Sequence, residues 1–231
     1  FSGSKASIFT LFFILSLALG LSLSGFNTGA QADINTGLIG YWKFDEGSGT
    51  TAADSSGSGN TGTINGATWT AGKINGALNF DGVDDYTTMG DMNSIDGVSA
   101  LTYSLWIKPN SPATLDSIVG KWSTAGINGL TLHTSYGFGT DDILWGGWNG
   151  NTFLQTTNNI LPNNAWTHIV GVFDGSQPDN AGRLKLYANG VLAAATFNGT
   201  IPSTTPNTTY DVRAGADSEG GRTFPGVIDE V

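Results

Sequence analysis

From residue 38 onward the chain never sustains an apolar pattern long enough for a helix. Apolar residues alternate with polar ones or gather in short runs, and Gly, Asn, Asp or Pro closes each run. Short alternating runs between turn formers specify strands, whereas a helix needs apolar positions three and four apart over ten or more residues. Leu101-Thr-Tyr-Ser-Leu-Trp-Ile-Lys108 places Leu101, Tyr103, Leu105 and Ile107 on one face, and Trp106 on the other with Thr102, Ser104 and Lys108. Trp166-Thr-His-Ile-Val-Gly-Val-Phe173 is apolar on both faces, which predicts a central strand covered on both sides. Asn189-Gly190 predicts a type I′ hairpin, since both residues tolerate positive φ. Further strands are predicted over 38–44, 77–80, 86–89, 117–121, 130–133, 143–145, 153–156, 184–188, 191–196, 212–216 and 227–231. This spacing predicts an all-β fold, a two-sheet antiparallel jelly-roll sandwich.

The first residues have a different character. Lys5 precedes an apolar run from Ile8 to Leu23, and Ala30-Gln31-Ala32 follows. A basic residue, an apolar segment and an Ala-x-Ala site read as a secretory signal peptide over residues 1–32. Residues 33–231 then form one domain. The chain has no Cys, so stability in an extracellular setting rests on the core or a bound ion rather than on disulfides. Acidic residues number 19 against 9 basic ones. That balance argues against nucleic acid and anionic membrane surfaces, and no membrane insertion is expected once the signal is removed. The chain stops at Val231 inside an alternating run, and further domains are expected beyond it.

Several pieces in order carry a family resemblance. They are Tyr41-Trp-Lys-Phe-Asp-Glu46, Asp54-Ser-Ser-Gly-Ser-Gly-Asn60 and Gly76-Ala-Leu-Asn-Phe-Asp-Gly-Val-Asp-Asp85. After them come Leu101 to Pro109, Trp166-Thr-His-Ile-Val170, Leu186-Tyr-Ala-Asn-Gly190 and Gly226-Val-Ile-Asp-Glu-Val231. Together they resemble a LamG-like jelly-roll domain of the concanavalin A-like lectin/glucanase superfamily. The resemblance implies that the first and last strands are neighbours. It also implies an extracellular recognition module, many of which are parts of larger secreted enzymes or adhesins.

Candidate chemistry follows from residue types. Ca²⁺ takes six to eight oxygen ligands. Asp45 and Glu46 end the first predicted strand, Asp54 and Asn60 bound an oxygen-rich loop, and Asp229 lies near the other terminus. If the termini meet, these residues make a structural calcium site. Asp81-Gly-Val-Asp-Asp85 lacks EF-hand spacing and reads as a tight hairpin. Trp42, Phe44, Phe80, Trp166 and Phe173 read as core. Trp122, Tyr136 and Trp148 lie beside Gly-rich polar segments, with Asp141, Asp142, Asn149 and Asn151 close by. Aromatic faces flanked by amides and carboxylates suit a sugar, which has an apolar face and a hydroxyl rim. Two such platforms reach about 4 kcal/mol, or near-millimolar affinity.

Catalysis is not expected. Glycosidases on this fold need two carboxylates flanking the scissile bond. The only Glu residues are Glu46, Glu219 and Glu230, and no Glu-x-Asp-x-x-Glu pattern occurs. His133 and His168 lie inside predicted strands. The sequence therefore predicts a secreted, non-catalytic module that binds a polysaccharide or glycoprotein. The alternative is a structural or adhesive cell-surface domain with no glycan site.

Overall fold

Alternating strands bury one face each, and two sheets closing over those faces satisfy them. The computed structural model describes residues 36–110, 115–123, 128–134, 142–149 and 151–231. The predicted signal peptide lies outside them. Among the described residues, the strands are β1 (Thr51–Ala52), β2 (Gly62–Asn65), β3 (Thr68–Ala71), β4 (Gly76–Asp81), β5 (Tyr86–Thr88), β6 (Ala100–Pro109), β7 (Ser117–Ser123) and β8 (Asn128–Thr134). Then come β9 (Ile143–Trp148), β10 (Thr152–Thr156), β11 (Thr167–Asp174), β12 (Leu184–Ala188), β13 (Val191–Leu192), β14 (Ala195–Asn198), β15 (Val212–Ala214) and β16 (Pro225–Asp229). They form a nine-stranded sheet, β1-β2-β5-β15-β7-β8-β9-β10-β14, and a seven-stranded sheet, β13-β12-β11-β6-β16-β4-β3. Every described pairing is antiparallel.

The predicted alternation sets the core. Leu105 and Ile107 on β6 are fully buried, together with Ile169 and Phe173 on β11 and Leu184 and Leu186 on β12. The nine-stranded sheet answers with Ile118, Val119, Leu132, Trp145 and Leu154. Trp145 is the largest of these side chains and has no exposed surface. Its ring reaches across to β11, where a Cβ on Gly171 would lie 3.0 Å from the indole. Tyr103 packs edge-on to the same indole at 5.3 Å. The indole N–H donates to the Val172 carbonyl at 3.3 Å.

The hairpin at Asn189-Gly190 forms as predicted, with φ of 50° and 79° and Ala188 opposite Val191. The resemblance also placed the first and last segments side by side. Trp42 and Val231 exchange two backbone hydrogen bonds, at 2.9 and 3.0 Å. Segment 38–44 forms no strand of its own and is tied in by a bridge between Trp42 and Asp54, the Ser55 N–H to the Tyr41 carbonyl, and the two bonds with Val231. The Tyr41 N–H turns to the Asp54 carboxylate, and Phe44 takes a φ of 56°. The run predicted over 191–196 divides into β13 in one sheet and β14 in the other. The Asp81–Asp85 segment is likewise no hairpin, because β4 and β5 belong to different sheets and the turn carries the chain between them.

β11 corrects a larger expectation. It lies inside its sheet, but only its odd-numbered residues are buried. His168, Val170 and Val172 are only partly buried, and so is Trp166, which is therefore not a core residue. The apolar outer face of β11 is only partly covered among the described residues. Gly171→Val should force the Trp145 ring to shift and cost about 1–3 kcal/mol, as overpacking does. A thermal melt of the variant checks this, with a drop in Tm expected and the antiparallel-β circular dichroism spectrum retained.

Candidate functional site

The residues proposed for calcium each turn out to hold backbone in place. Asp54 accepts N–H bonds from Tyr41 (3.0 Å), Ser56 (2.8 Å) and Asn60 (2.8 Å). Burial pushes its carboxyl up, but the hydrogen bonds from Ser56, Asn60 and Tyr41 outweigh that and hold it low. The Asn60 side chain donates to the Ile39 carbonyl, and its own carbonyl accepts from the Trp42 indole. Asp45 accepts from the Gly76 N–H and the Asn75 amide, and Glu46 from the Ala53 N–H. Asp229 accepts from the N–H groups of Lys73 and Ile74. These bonds give the carboxylates a structural role without an ion, while Asp229 Oδ1 is left buried without a hydrogen-bond partner. Among the described residues, the carboxylates that gather within 4.8 Å are instead Asp81, Asp84 and Asp85. There the Asp85 carboxyl is pushed up, first by burial and then by the two neighbouring acids, against a hydrogen bond from the Asp81 N–H.

Of the predicted sugar-binding residues, Tyr136 and Asp141 lie outside the described residues. So does the Trp148 side chain, although its backbone ends β9. Asp142 is buried and accepts from Thr156 Oγ1 and the Asn159 N–H, so it fixes the start of β9. Asn149 and Asn151 are exposed at the β9–β10 turn, and the Asn151 carbonyl accepts from the Asn198 amide at 2.7 Å.

Trp122 is only 5% exposed, so it is not an open platform. It points away from the inter-sheet core on β7, opposite Gly129 on β8. The indole lies over β9 as well, where a Cβ on Gly147 would come within 2.9 Å of it. His133 on β8 meets its edge, with ring centroids 5.0 Å apart at 83°. The loop after β15 folds over this face, because the Ser218 N–H bonds to the Trp122 carbonyl. That loop carries Asp217 and Glu219 and delivers Arg222, whose guanidinium lies 4.4 Å from the indole centroid.

The polar groups here are incompletely matched. Trp122 Nε1 and one Asp217 oxygen are buried without hydrogen-bond partners, and the His133 ring nitrogens have none beyond a weak one to the Asp116 backbone. The other Asp217 oxygen accepts the N–H groups of Glu219 and Gly221. Arg222 has no hydrogen bond or ion pair through its guanidinium among the described residues. Burial lowers its basicity, and Asp217 partly restores it. Burial, and then Arg222, push His133 down to about 3, against a weaker pull from the Asp116 backbone. His133 is thus neutral near pH 7, with one ring nitrogen to donate and one to accept. Sequence reasoning found Trp122 but not His133 or Arg222, since nothing in their spacing marks them as neighbours of the indole.

A second aromatic surface lies on the outer face of the seven-stranded sheet. Trp106 on β6 sits opposite His168 on β11, with centroids 5.0 Å apart, and Lys73 Nζ lies 4.7 Å from the Trp106 ring. Ser104 Oγ and His168 Nε2 are 3.0 Å apart. An apolar cavity of about 180 Å³ opens at the sandwich side between Leu154, Leu186, Leu192 and Phe197. It is smaller than usual ligand pockets, which start at about 300 Å³.

A laminin G-type family model, described as the concanavalin A-like lectin/glucanases superfamily, matches residues 81–231. The chain belongs to this superfamily. No curated protein resembles this lectin-like chain closely enough to match by sequence. Among solved structures, it is similar to domain 4 of AbnA, an extracellular arabinanase of Geobacillus stearothermophilus in complex with arabinotriose. The TM-score is 0.61 at 21% identity, covering 84% of this chain and 89% of that one. It is also similar to the receptor-binding domain of a botulinum neurotoxin C/D mosaic, with TM-score 0.56 and 14% identity over 85% of this chain. A third similar structure is of botulinum neurotoxin type C, whose cell entry depends on two ganglioside molecules, with TM-score 0.57, 13% identity and 86% of this chain covered. The chain spans 48% of each of those two toxin chains. At these identities the likeness establishes the fold alone.

Two measurements test the groups described. Asp54→Ala should cost about 2–3 kcal/mol by stranding backbone donors, with a Tm drop that is the same with and without chelator. The second is pH dependence. His133 is depressed in the fold, so acid favours the unfolded state from its ordinary value down to about 3. Asp229 is raised to about 6, chiefly by burial. Its stabilising contribution is complete below the ordinary Asp value and is lost as pH rises through about 6. The two oppose each other between about pH 4 and 6, each with a limiting slope of about 1.4 kcal/mol per pH unit. Denaturant titrations should show a steeper loss of stability in acid for Asp229→Asn and a shallower one for His133→Gln.

Proposed function

We propose that this domain is a non-catalytic carbohydrate-binding module of an extracellular protein, with its site on the outer face of the nine-stranded sheet at Trp122, His133, Asp217 and Arg222. The observation that carries this is the set of buried polar atoms with no or only weak hydrogen-bond partners beside an aromatic face. Each such atom costs about 1–3 kcal/mol when left unmatched. The set mixes donors and acceptors: an indole N–H, a neutral imidazole and a carboxylate oxygen. Sugar hydroxyls both donate and accept, so a polyhydroxylated ligand complements it. Arg222 stacks on the indole, and its guanidinium has no hydrogen bond among the described residues, so its N–H groups are left to donate to ligand hydroxyls. The arabinotriose complex of the AbnA domain and the ganglioside dependence of the type C toxin support a glycan as the ligand class. The absence of catalysis is supported by the engagement of the three Glu residues. Glu46 caps the Ala53 N–H, Glu219 accepts from Ser123, and Glu230 accepts from the Tyr41 hydroxyl.

The test is affinity electrophoresis through gels containing arabinan or other neutral polysaccharides. The wild-type domain should be retarded. Trp122→Phe, which keeps a ring but removes the N–H, and Arg222→Ala should each weaken retardation by about three- to tenfold, the worth of one hydrogen bond or stacked cation. A folded domain that no neutral polysaccharide retards would overturn this site and favour an adhesive domain that binds protein.

A further inference from the structure

The outer face of the seven-stranded sheet is an unpartnered surface of unusual composition. Strand alternation and register bring its members together. Trp166 and Lys108 share one row across β11 and β6 by extension of the Thr167–Ile107 pairing, and Trp106 lies opposite His168 in the next. Ser104, Val170, Tyr187 and Leu192 make a third row across β6, β11, β12 and β13. Thr102, Val172 and Lys185 make a fourth. Trp106, Trp166, Val170, Val172 and Tyr187 are partly buried, each with some surface open, and Leu192 is 55% exposed. The partly covered face of β11 noted above is the middle of this field.

Three lysines border the field, alongside two carboxylates, Asp229 in the row of Trp106 and Asp174 beyond Val172. Lys73 leans over Trp106, Lys108 stands at one end and Lys185 at the other. The chain carries 19 acidic residues against 9 basic ones, so acidic partners are plentiful. Yet the ion pairs among the described residues are both made by the buried Lys121, with Asp91 and Asp96. Lys73, Lys108 and Lys185 have none. The two acids hold turns rather than lysines: Asp229 accepts from the N–H groups of Lys73 and Ile74, and Asp174 from Ser176 and Gln177. Lys185 is close enough to Asp174 to help hold it low, without contact. From the row of Lys108 to that of Lys185 is six residues of strand, or about 20 Å. That length suits an extended polymer better than a single sugar.

We infer that this face binds an acidic polysaccharide, one carrying carboxylates along its length, as a surface separate from the site at Trp122. The sugar rings would lie on the aromatic and valine surface, which favours their apolar faces. The lysines at both ends would pair with the carboxylates, and Ser104 and His168 would meet hydroxyls.

The closing experiment compares polygalacturonate with its fully methyl-esterified form, which keeps the backbone and removes the charge. Retardation of the domain should be strong in polygalacturonate, weak in the ester, and lost as salt screens the lysines. Lys108→Glu with Lys185→Glu should weaken binding about tenfold, from two exposed charge pairs reversed. Trp106→Ala should also weaken it, whereas Trp122→Phe and Arg222→Ala should leave it unchanged. Thermal melts confirm that each variant folds. Equal binding of acid and ester, or loss of acid binding only in the Trp122 and Arg222 variants, would overturn the assignment. So would absence of binding with self-association through this face, which would mark it as a protein interface. Because the two surfaces answer to different variants and polymers, either assignment can fail alone.

Discussion

The sandwich depends on the fit of Trp145 against Gly171. The indole crosses from the nine-stranded sheet and lies where any side chain at Gly171 would sit, with Tyr103 closing its edge. A buried Trp contributes several kcal/mol, and its truncation costs about 3–5. The contact also sets the distance between sheets at mid-strand, so the Leu and Ile layers on either side close around it. At one end of the sandwich, the paired backbones of Trp42 and Val231 bring the first and last described segments together.

That closure assigns different roles to the two outer faces. Once Trp145 takes the inner side of β9, its neighbours Gly146 and Gly147 leave the outer side bare. The Trp122 indole uses that space, and the Asp217–Arg222 loop folds over it. The result is a recessed polar face with unmet hydrogen-bonding groups. The seven-stranded sheet has no such glycines on its outer rows. Its outward Trp, Val and Tyr side chains stand in a flat field, partly open among the described residues. A recessed, hydrogen-bonding face and a flat, aromatic, basic one suit different ligands.

Much of the fold was legible in the residues. The Leu101 to Lys108 alternation, the Asn189-Gly190 turn and the order of strands from β4 onward follow from local pattern, because each is a property of neighbours in sequence. β1, β2 and β3 were not legible. Thr, Gly and Asn dominate them, and their strand character comes from pairing rather than propensity. β11 was legible as an interior strand, but its outer face was misjudged. An apolar residue reads alike whether it is covered or is itself a binding surface. The carboxylates read as one ligand set, Asp45, Glu46, Asp54 and Asp229, each hold a turn or loop. Their individual engagement with backbone N–H groups could not be read, because it depends on turn geometry.

By itself the sequence determined the class of fold, the alternation that separates inner from outer faces, and an acidic, cysteine-free chain with aromatic residues to spare. These follow from period-two patterning and composition, which are local quantities. Tertiary structure alone decided which aromatics are buried and which stand open. It buried Trp122 under Arg222, left Trp106 and Trp166 on a partly open face, and placed His133 against an indole eleven positions away. The physical reason is that sheet order and loop crossings determine which side chains meet, and both arise from long-range pairing that no local window contains.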